Sequence, residues 1–248
     1  MFAPGSNVIN GGSYIRSTQA FQEFMILPYG MKSVNDSVRI IVEIFQQLPQ
    51  MIKKAMGFTA EIGKYSGYAA PSDDPLVVFQ ILDETVRDLG YQDNVAYAID
   101  CASSEFYNAK ECAYEYRNNL VDRNEIISVL RMLADKYPIA FIEDALEEED
   151  FEGYKIAKKS INSLIIGDDF LCTSLDRTQK AVEMGAAQGI IFKPNQAGTI
   201  TEALNTAEYI LEQGLLLVPS ARAGGVIDSP EKEIGLALGC HAVKTGAP

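Results

Sequence analysis

Residues 139–169 read IAFIEDALEEEDFEGYKIAKKSINSLIIGDD, and this stretch decides the fold. The apolar run Ile139-Ala140-Phe141-Ile142 stops on Glu143. An acidic segment, Glu147-Glu148-Glu149-Asp150, then leads into a helix start, where negative charge suits the helix dipole. A second run, Leu164-Ile165-Ile166, stops on Asp168. Strands that are apolar almost throughout suit a parallel sheet covered on both faces. Working outward, the same pattern recurs. Val95-Ala96-Tyr97-Ala98-Ile99 ends on Asp100, Gly189-Ile190-Ile191-Phe192 on Lys193, Leu215-Leu216-Leu217-Val218 on Ser220, and Ala242-Val243 on Lys244. From Glu143 onward these polar residues recur at about 25-residue intervals, room for one strand, one helix and two short loops.

The helices between them carry start and stop signals. Asp122 stands three before Glu125 as a capping box ahead of Ile126, Ile127, Val129 and Leu130, and Lys136-Tyr137-Pro138 closes that helix. Asp74-Pro75 opens an earlier helix running to Gly90. Thr201-Glu202 lies in the start of another that ends before Gly214, and Ser229-Pro230-Glu231 opens one that Gly239 ends. Upstream, Gln22-Glu23-Phe24-Met25-Ile26-Leu27 reads as a strand, and Asp36 to Met56 as helix interrupted near Pro49. The expected fold is α/β, a parallel (β/α)8 TIM-type barrel, with residues 1–248 forming one domain. Met1-Phe2-Ala3-Pro4-Gly5 reads as a loop-like start, and with Lys244-Thr245-Gly246-Ala247-Pro248 at the other end the chain looks cut from something longer.

Composition narrows the function classes. With 34 acidic against 21 basic residues the formal charge is −13, which repels phosphate backbones and anionic lipid, so neither nucleic acid nor membrane is an expected partner. Cys101, Cys112, Cys172 and Cys240 show no C-x-x-C spacing, and no leader or long apolar run is present; the expectation is a soluble, reduced, cytoplasmic protein.

The charged strand ends carry the chemistry. In a closed parallel barrel the carboxyl ends of the strands converge on one mouth. A single acidic residue after a strand is ordinarily a turn or helix cap. Three carboxylates held together, Asp100, Glu143 and Asp168, stay ionised only with a cation among them. An all-oxygen set suits a hard ion, Mg2+ before zinc, since His241 is the single histidine. Lys193, whose ammonium would lose its proton readily beside such an ion, is the candidate base. Arg222 offers a planar fork of donors to a phosphate or carboxylate. The combination describes proton abstraction next to a metal-bound carboxylate. A Schiff-base aldolase using Lys193 is the competing chemistry, and the three carboxylates argue against it.

Here the residues reach a family. Gly11-Gly12-Ser13, Gln22-Glu23-Phe24-Met25-Ile26-Leu27-Pro28, Asp100-Cys101-Ala102-Ser103-Ser104-Glu105-Phe106-Tyr107, Ile142-Glu143-Asp144, Gly167-Asp168-Asp169, Lys193-Pro194-Asn195-Gln196-Ala197-Gly198-Thr199 and Lys244-Thr245-Gly246 occur in order over nearly the whole chain. Together they resemble the carboxy-terminal barrel domain of enolase (phosphopyruvate hydratase), a hydro-lyase. The resemblance implies that Asp100, Glu143 and Asp168 bind Mg2+ and that Lys193 is the base. It also implies that Lys244 holds the metal-bound carboxylate, that Ser220 and Arg222 meet the phosphate, and that Glu23 belongs to the acid apparatus. The implied substrate is a small phosphorylated carboxylate such as 2-phosphoglycerate, with phosphoenolpyruvate as product.

Three positions depart from the pattern. The family's Gly-Asp-Glu-Gly-Gly run is Gly63-Lys64-Tyr65-Ser66-Gly67, so Tyr65 replaces an acid, and two expected histidines are Tyr14 and Ala221. Losing a general acid typically costs about 10²–10⁴ in rate. The expectation is therefore binding and enolisation without efficient dehydration, and the alternative is an inactive homologue with a binding or scaffolding role. The family's amino-terminal domain and last helix have no counterpart in these 248 residues. The flank they would cover is expected to meet a second copy in a homo-oligomer or flanking segments of the same protein.

Overall fold

Side chains on a strand point alternately to its two faces, and here that alternation builds two cores on either side of one curled sheet. The computed structural model describes residues 3–14, 19–63, 66–222, 225 and 230–248. In chain order the elements are β1 (Ala3–Asn10), a 3-10 turn (Gly12–Tyr14), β2 (Glu23–Pro28), α1 (Val34–Met56), β3 (Tyr68–Ala69), α2 (Pro75–Asp88) and β4 (Val95–Asp100). After a second 3-10 turn (Ser103–Phe106) come β5 (Tyr107–Asn108), β6 (Ala113–Tyr116), β7 (Asn119–Val121), α3 (Arg123–Lys136), β8 (Ile139–Glu143), α4 (Phe151–Ser160) and β9 (Leu164–Gly167). The chain continues with α5 (Leu175–Glu183), β10 (Gly189–Phe192), α6 (Pro194–Ala197), α7 (Ile200–Glu212), β11 (Leu216–Pro219), α8 (Glu231–Ala237) and β12 (Ala242–Thr245).

Eight strands pair in the order β11-β10-β9-β8-β4-β2-β1-β12. A parallel bridge between Ser220 and Lys244, with Ala221 N–H donating to the Lys244 carbonyl at 3.2 Å, brings the two ends together and closes the barrel. Its interior is filled by Met25, Leu27, Ala98, Phe141, Ile166, Ile191, Val218 and Ala242, one or two from each of seven strands. The opposite faces of the strands pack against the helices; Phe24, Ile99, Ile142, Ile165, Ile190 and Leu217 join that larger core.

Three expectations are corrected. The barrel is not wholly parallel: β2 runs antiparallel to both β1 and β4. A parallel return needs a long crossover, usually a helix. The β1–β2 connection instead turns back, and its two ends are paired at the base, with Gly11 N–H on the Gln22 carbonyl at 2.8 Å and Gly12 N–H on the Gln19 carbonyl at 2.8 Å. The loop-like start is a strand. Ala3–Asn10 pairs with β12 on one side and β2 on the other, and only Ala3 escapes full burial. Its Pro4, Gly5, Ser6 and Asn7 are turn formers by composition, yet Gly5 faces the Leu27 side chain inside the barrel, where small residues fit. Pro49 does not interrupt α1. The stripe Ile40, Ile41, Ile44, Leu48, Met51 and Ile52 is buried on both sides of it and holds the helix together across the missing N–H.

Other signals lie where expected. Asp74 and Asp122 cap α2 and α3, Asp122 accepting from the N–H groups of Asn124 and Glu125, but the reciprocal capping box expected at Asp122 and Glu125 is found instead at Thr199 and Glu202 at the head of α7. Ser229 lies outside the described residues, and α8 begins at Glu231 behind Pro230. The long interval before α3 holds a three-stranded sheet, β5-β6-β7, that the sequence reading left unassigned. No helix among the described residues is long and apolar enough to cross a membrane.

Candidate metal and lysine site

On seven strands an inward-facing apolar residue stands two positions from a polar residue at the mouth. Ala98 precedes Asp100, Phe141 precedes Glu143, Ile166 precedes Asp168, Ile191 precedes Lys193, Val218 precedes Ser220 and Ala242 precedes Lys244. A period of two puts all six on the barrel's inner face. On β2 the order is reversed, and Glu23 precedes Met25. Because that strand runs the other way, its first residue, not its last, reaches the mouth. Register then aligns the acids: Glu23 pairs with Asp100, and Asp100 with Glu143.

The mouth opens into a cavity of about 530 Å³ bordered by Glu23, Asp100, Asp168, Lys193, Ser220, Ala221, Arg222, Lys244 and Tyr14. All the sequence-predicted site residues except two thus face one space. Glu143 lies beneath it, fully buried. Tyr65, the other exception, lies outside the described residues. Arg222 is exposed at the rim, and the Ser220 hydroxyl donates to the Ala221 carbonyl at 3.0 Å.

The two lysines divide the acids between them. The Lys244 ammonium donates to Asp100 Oδ2 and to both Glu143 oxygens, each at 2.8 Å, and lies 2.9 Å from Glu23 Oε2. Lys193 forms an ion pair with Asp168, whose other oxygen accepts from Gln196 Nε2 at 2.9 Å. Thr173 organises this half: its hydroxyl accepts from Lys193 N–H and donates to Gln196 Oε1.

Burial, followed by the charge of Asp100, pushes the Glu143 carboxyl well above its ordinary range. Burial raises Glu23 too, against the pull of Lys244. For Asp168 burial acts upward, but the ammonium groups of Lys193 and Lys244 outweigh it and hold the carboxyl below its ordinary value. Burial opposes the charge on Lys244, and Asp100, Glu143 and Glu23 overcome it, raising that ammonium well above the usual lysine value.

Sequence reasoning missed Asp144. It sits in the left-handed region at φ 46, buried, and accepts from the N–H groups of Asp168 at 2.9 Å, Asp169 at 2.8 Å and Phe170 at 3.3 Å. It therefore clamps the turn that carries Asp168. A second carboxylate directly after a strand-ending one was the available signal.

Five buried carboxylates at the mouth, Glu23, Asp100, Glu143, Asp144 and Asp168, face the two ammonium groups of Lys193 and Lys244. An all-oxygen set this short of positive charge fits a hard divalent cation. Within 4.8 Å of one another stand Asp100, Glu143 and Asp144, and likewise Asp144, Asp168 and Asp169; Asp144 links the two groups. The expected trio of Asp100, Glu143 and Asp168 therefore straddles both groups and does not form either one.

An α/β barrel whose inner strand ends bring acids and lysines to one mouth can hold a metal ion and move a proton beside it. Comparison with known proteins places the chain within that class. The chain belongs to the enolase family: the model of the enolase C-terminal TIM barrel domain matches residues 1–248. It is 36% identical over 250 residues to the enolase of Methanococcus aeolicus, an alignment covering 100% of this chain and 59% of that protein. It is 38% identical over 250 residues to the enolase of Methanococcus maripaludis, with the same coverage, and 37% over 249 residues to that of Methanocaldococcus jannaschii, covering 100% and 58%. The chain thus spans about three fifths of the length of the curated relatives it matches.

Proposed function

We propose that the mouth binds Mg2+ through Asp100, Glu143 and Asp168 and enolises a small phosphorylated carboxylate such as 2-phosphoglycerate, with slow loss of hydroxide. The excess of buried carboxylate over ammonium carries this reading. When bound, Mg2+ would supply the positive charge that stabilises a substrate carboxylate as it gains electron density. Lys193 takes the proton from the carbon next to that carboxylate once its nitrogen leaves Asp168. Lys244, raised on the inner face of β12, offers its ammonium to the carboxylate oxygens, and Arg222 and Ser220 at the rim orient the phosphate. No acid stands at positions 14, 65 or 221, where Tyr14, Tyr65 and Ala221 occur, and a phenol with an ordinary pKa of about 10 is a weak proton donor to a departing hydroxide.

Incubation of 2-phosphoglycerate with the protein and Mg2+ in D2O tests the proposal by NMR. Exchange at C2 that requires Mg2+, disappears in Lys193→Ala and outpaces formation of phosphoenolpyruvate is the expected result. Absence of both exchange and metal-dependent ligand binding sinks it. One observation favours a second reading, a binding or scaffolding protein without turnover: Lys193 is held in an ion pair by Asp168. Metal-dependent ligand binding without exchange, unchanged by Lys193→Ala, would support that reading.

A further inference from the structure

We infer that Glu23 is a second station for the Lys244 ammonium, which turns from Asp100 and Glu143 to Glu23 when a divalent cation binds, so that Lys244 limits metal affinity and Glu23 makes room for the ion. This rests on the reading of Asp100 and Glu143 as metal ligands.

Lys244 spends its ammonium on Asp100 Oδ2 and on both oxygens of the Glu143 carboxylate, each at 2.8 Å. A fourth oxygen, Glu23 Oε2, lies just as near at 2.9 Å yet is buried and accepts no hydrogen bond from any described residue. A buried acceptor this close to an ammonium that points at its neighbours is costly where it stands, and the cost is relieved when the donor turns to it. Asp100 and Glu143 meanwhile spend three of their oxygens on the ammonium, and those are the lone pairs a cation would need. Two positive charges cannot share them closely without strong repulsion.

The backbone favours a turn of the side chain over any larger movement. Lys244 is held by its bridge to Ser220 and by the bond from Ala221 N–H to its carbonyl. Glu23 is the register neighbour of Asp100, one strand nearer β1. The ammonium therefore passes from one carboxylate to the next along a single level of the barrel. Gln196 and Thr173 give the Lys193 half no comparable spare acceptor, because both are already bonded.

Mg2+ titration calorimetry on the full chain tests this without reference to turnover. Lys244→Met should bind Mg2+ about tenfold or more tightly than the wild type, because a positive charge beside the ligands is gone. Glu23→Gln should bind it several-fold more weakly, because the ammonium then has no alternative to Asp100 and Glu143. The double variant decides between a station and a mere loss of negative charge: the Glu23→Gln penalty should vanish in the Lys244→Met background. Binding by Lys244→Met no tighter than wild type, or an equal Glu23→Gln penalty in both backgrounds, overturns the inference while leaving the metal reading intact. No binding by the wild type or by Lys244→Met overturns the metal reading, and the inference with it. If Lys244→Met does not fold, Glu23→Gln alone decides, and binding that is unchanged or tighter overturns the inference.

Discussion

Replacing Asp144 with alanine should loosen the turn on which the metal site depends. Asp144 is buried and accepts three backbone N–H bonds, two of them short, at 2.9 and 2.8 Å, and one long, at 3.3 Å. The N–H groups of Asp168 and Phe170 belong to buried residues, so alanine strands two donors away from water, whereas Asp169 is exposed and can turn to solvent. A stranded buried donor costs about 1–3 kcal/mol, and the longer bond counts for less, giving roughly 3–5 kcal/mol in all. Some of this returns, because burial and then the charge of Asp168 hold the Asp144 carboxyl well above its ordinary value, and alanine removes that conflict. The net expectation is a loss of about 2–4 kcal/mol in urea denaturation of the metal-free protein at neutral pH. Asparagine keeps the oxygen that accepts from Asp168 and Phe170 and sheds the charge, so Asp144→Asn should fall within about 1 kcal/mol of wild type. An alanine variant less than about 1 kcal/mol below wild type, or an asparagine variant as unstable as the alanine one, would refute the clamp.

Three further predictions follow from the same structure. Gly11→Ala should destabilise the protein by more than about 2 kcal/mol, since a Cβ there would lie 2.2 Å from the Phe21 carbonyl oxygen; an unaltered denaturation midpoint would show that the reversal into β2 does not need glycine. Phe141→Ala, which empties the largest side chain of the barrel interior, should cost about 3–5 kcal/mol in the same assay, and a loss under about 1 kcal/mol would mean that the interior collapses around the gap. Burial raises Glu23, Glu143 and Asp144, so the folded protein holds those protons more tightly than the unfolded chain. Their contribution is fully present below the unfolded value of about 4 and is lost as pH rises through the folded values; Asp168, held low by its lysines, contributes the opposite slope only below about pH 4. Metal-free stability should therefore fall from pH 5 to pH 8 while the gain in melting temperature on adding Mg2+ grows, and a Mg2+ gain that shrinks with pH would contradict the buried-acid account.

What the sequence could reveal divides along physical lines. The strand runs at 95–99, 139–142, 164–166, 189–192, 215–218 and 242–243 were legible because a strand buried on both faces carries an unbroken apolar signal, and the polar residue after each run marks the mouth. Their shared inward direction follows from a period of two, so Asp100, Glu143, Asp168, Lys193, Ser220 and Lys244 could be placed in one pocket before any coordinates. The first strand was not legible, because Pro4, Gly5, Ser6 and Asn7 are turn formers by composition, and Gly5 stands there for its fit against Leu27 inside a narrow barrel and not for strand propensity. Nor was the reversal of β2: local pattern carries no strand direction, which depends on whether the chain turns back at Gly11 or crosses over. Asp144 acts through a positive φ and through N–H groups 24 to 26 residues away, so its place directly after Glu143 is the one local trace it leaves.

The most direct test of the central claim is a crystal structure grown with Mn2+ in place of Mg2+, using anomalous scattering to locate the ion. The account predicts one ion at the mouth with oxygen ligands from Asp100, Glu143 and Asp168, and with Lys244 bonded to Glu23. An ion held by Asp144 and Asp169 without Asp100, or no anomalous peak at the mouth, would contradict it.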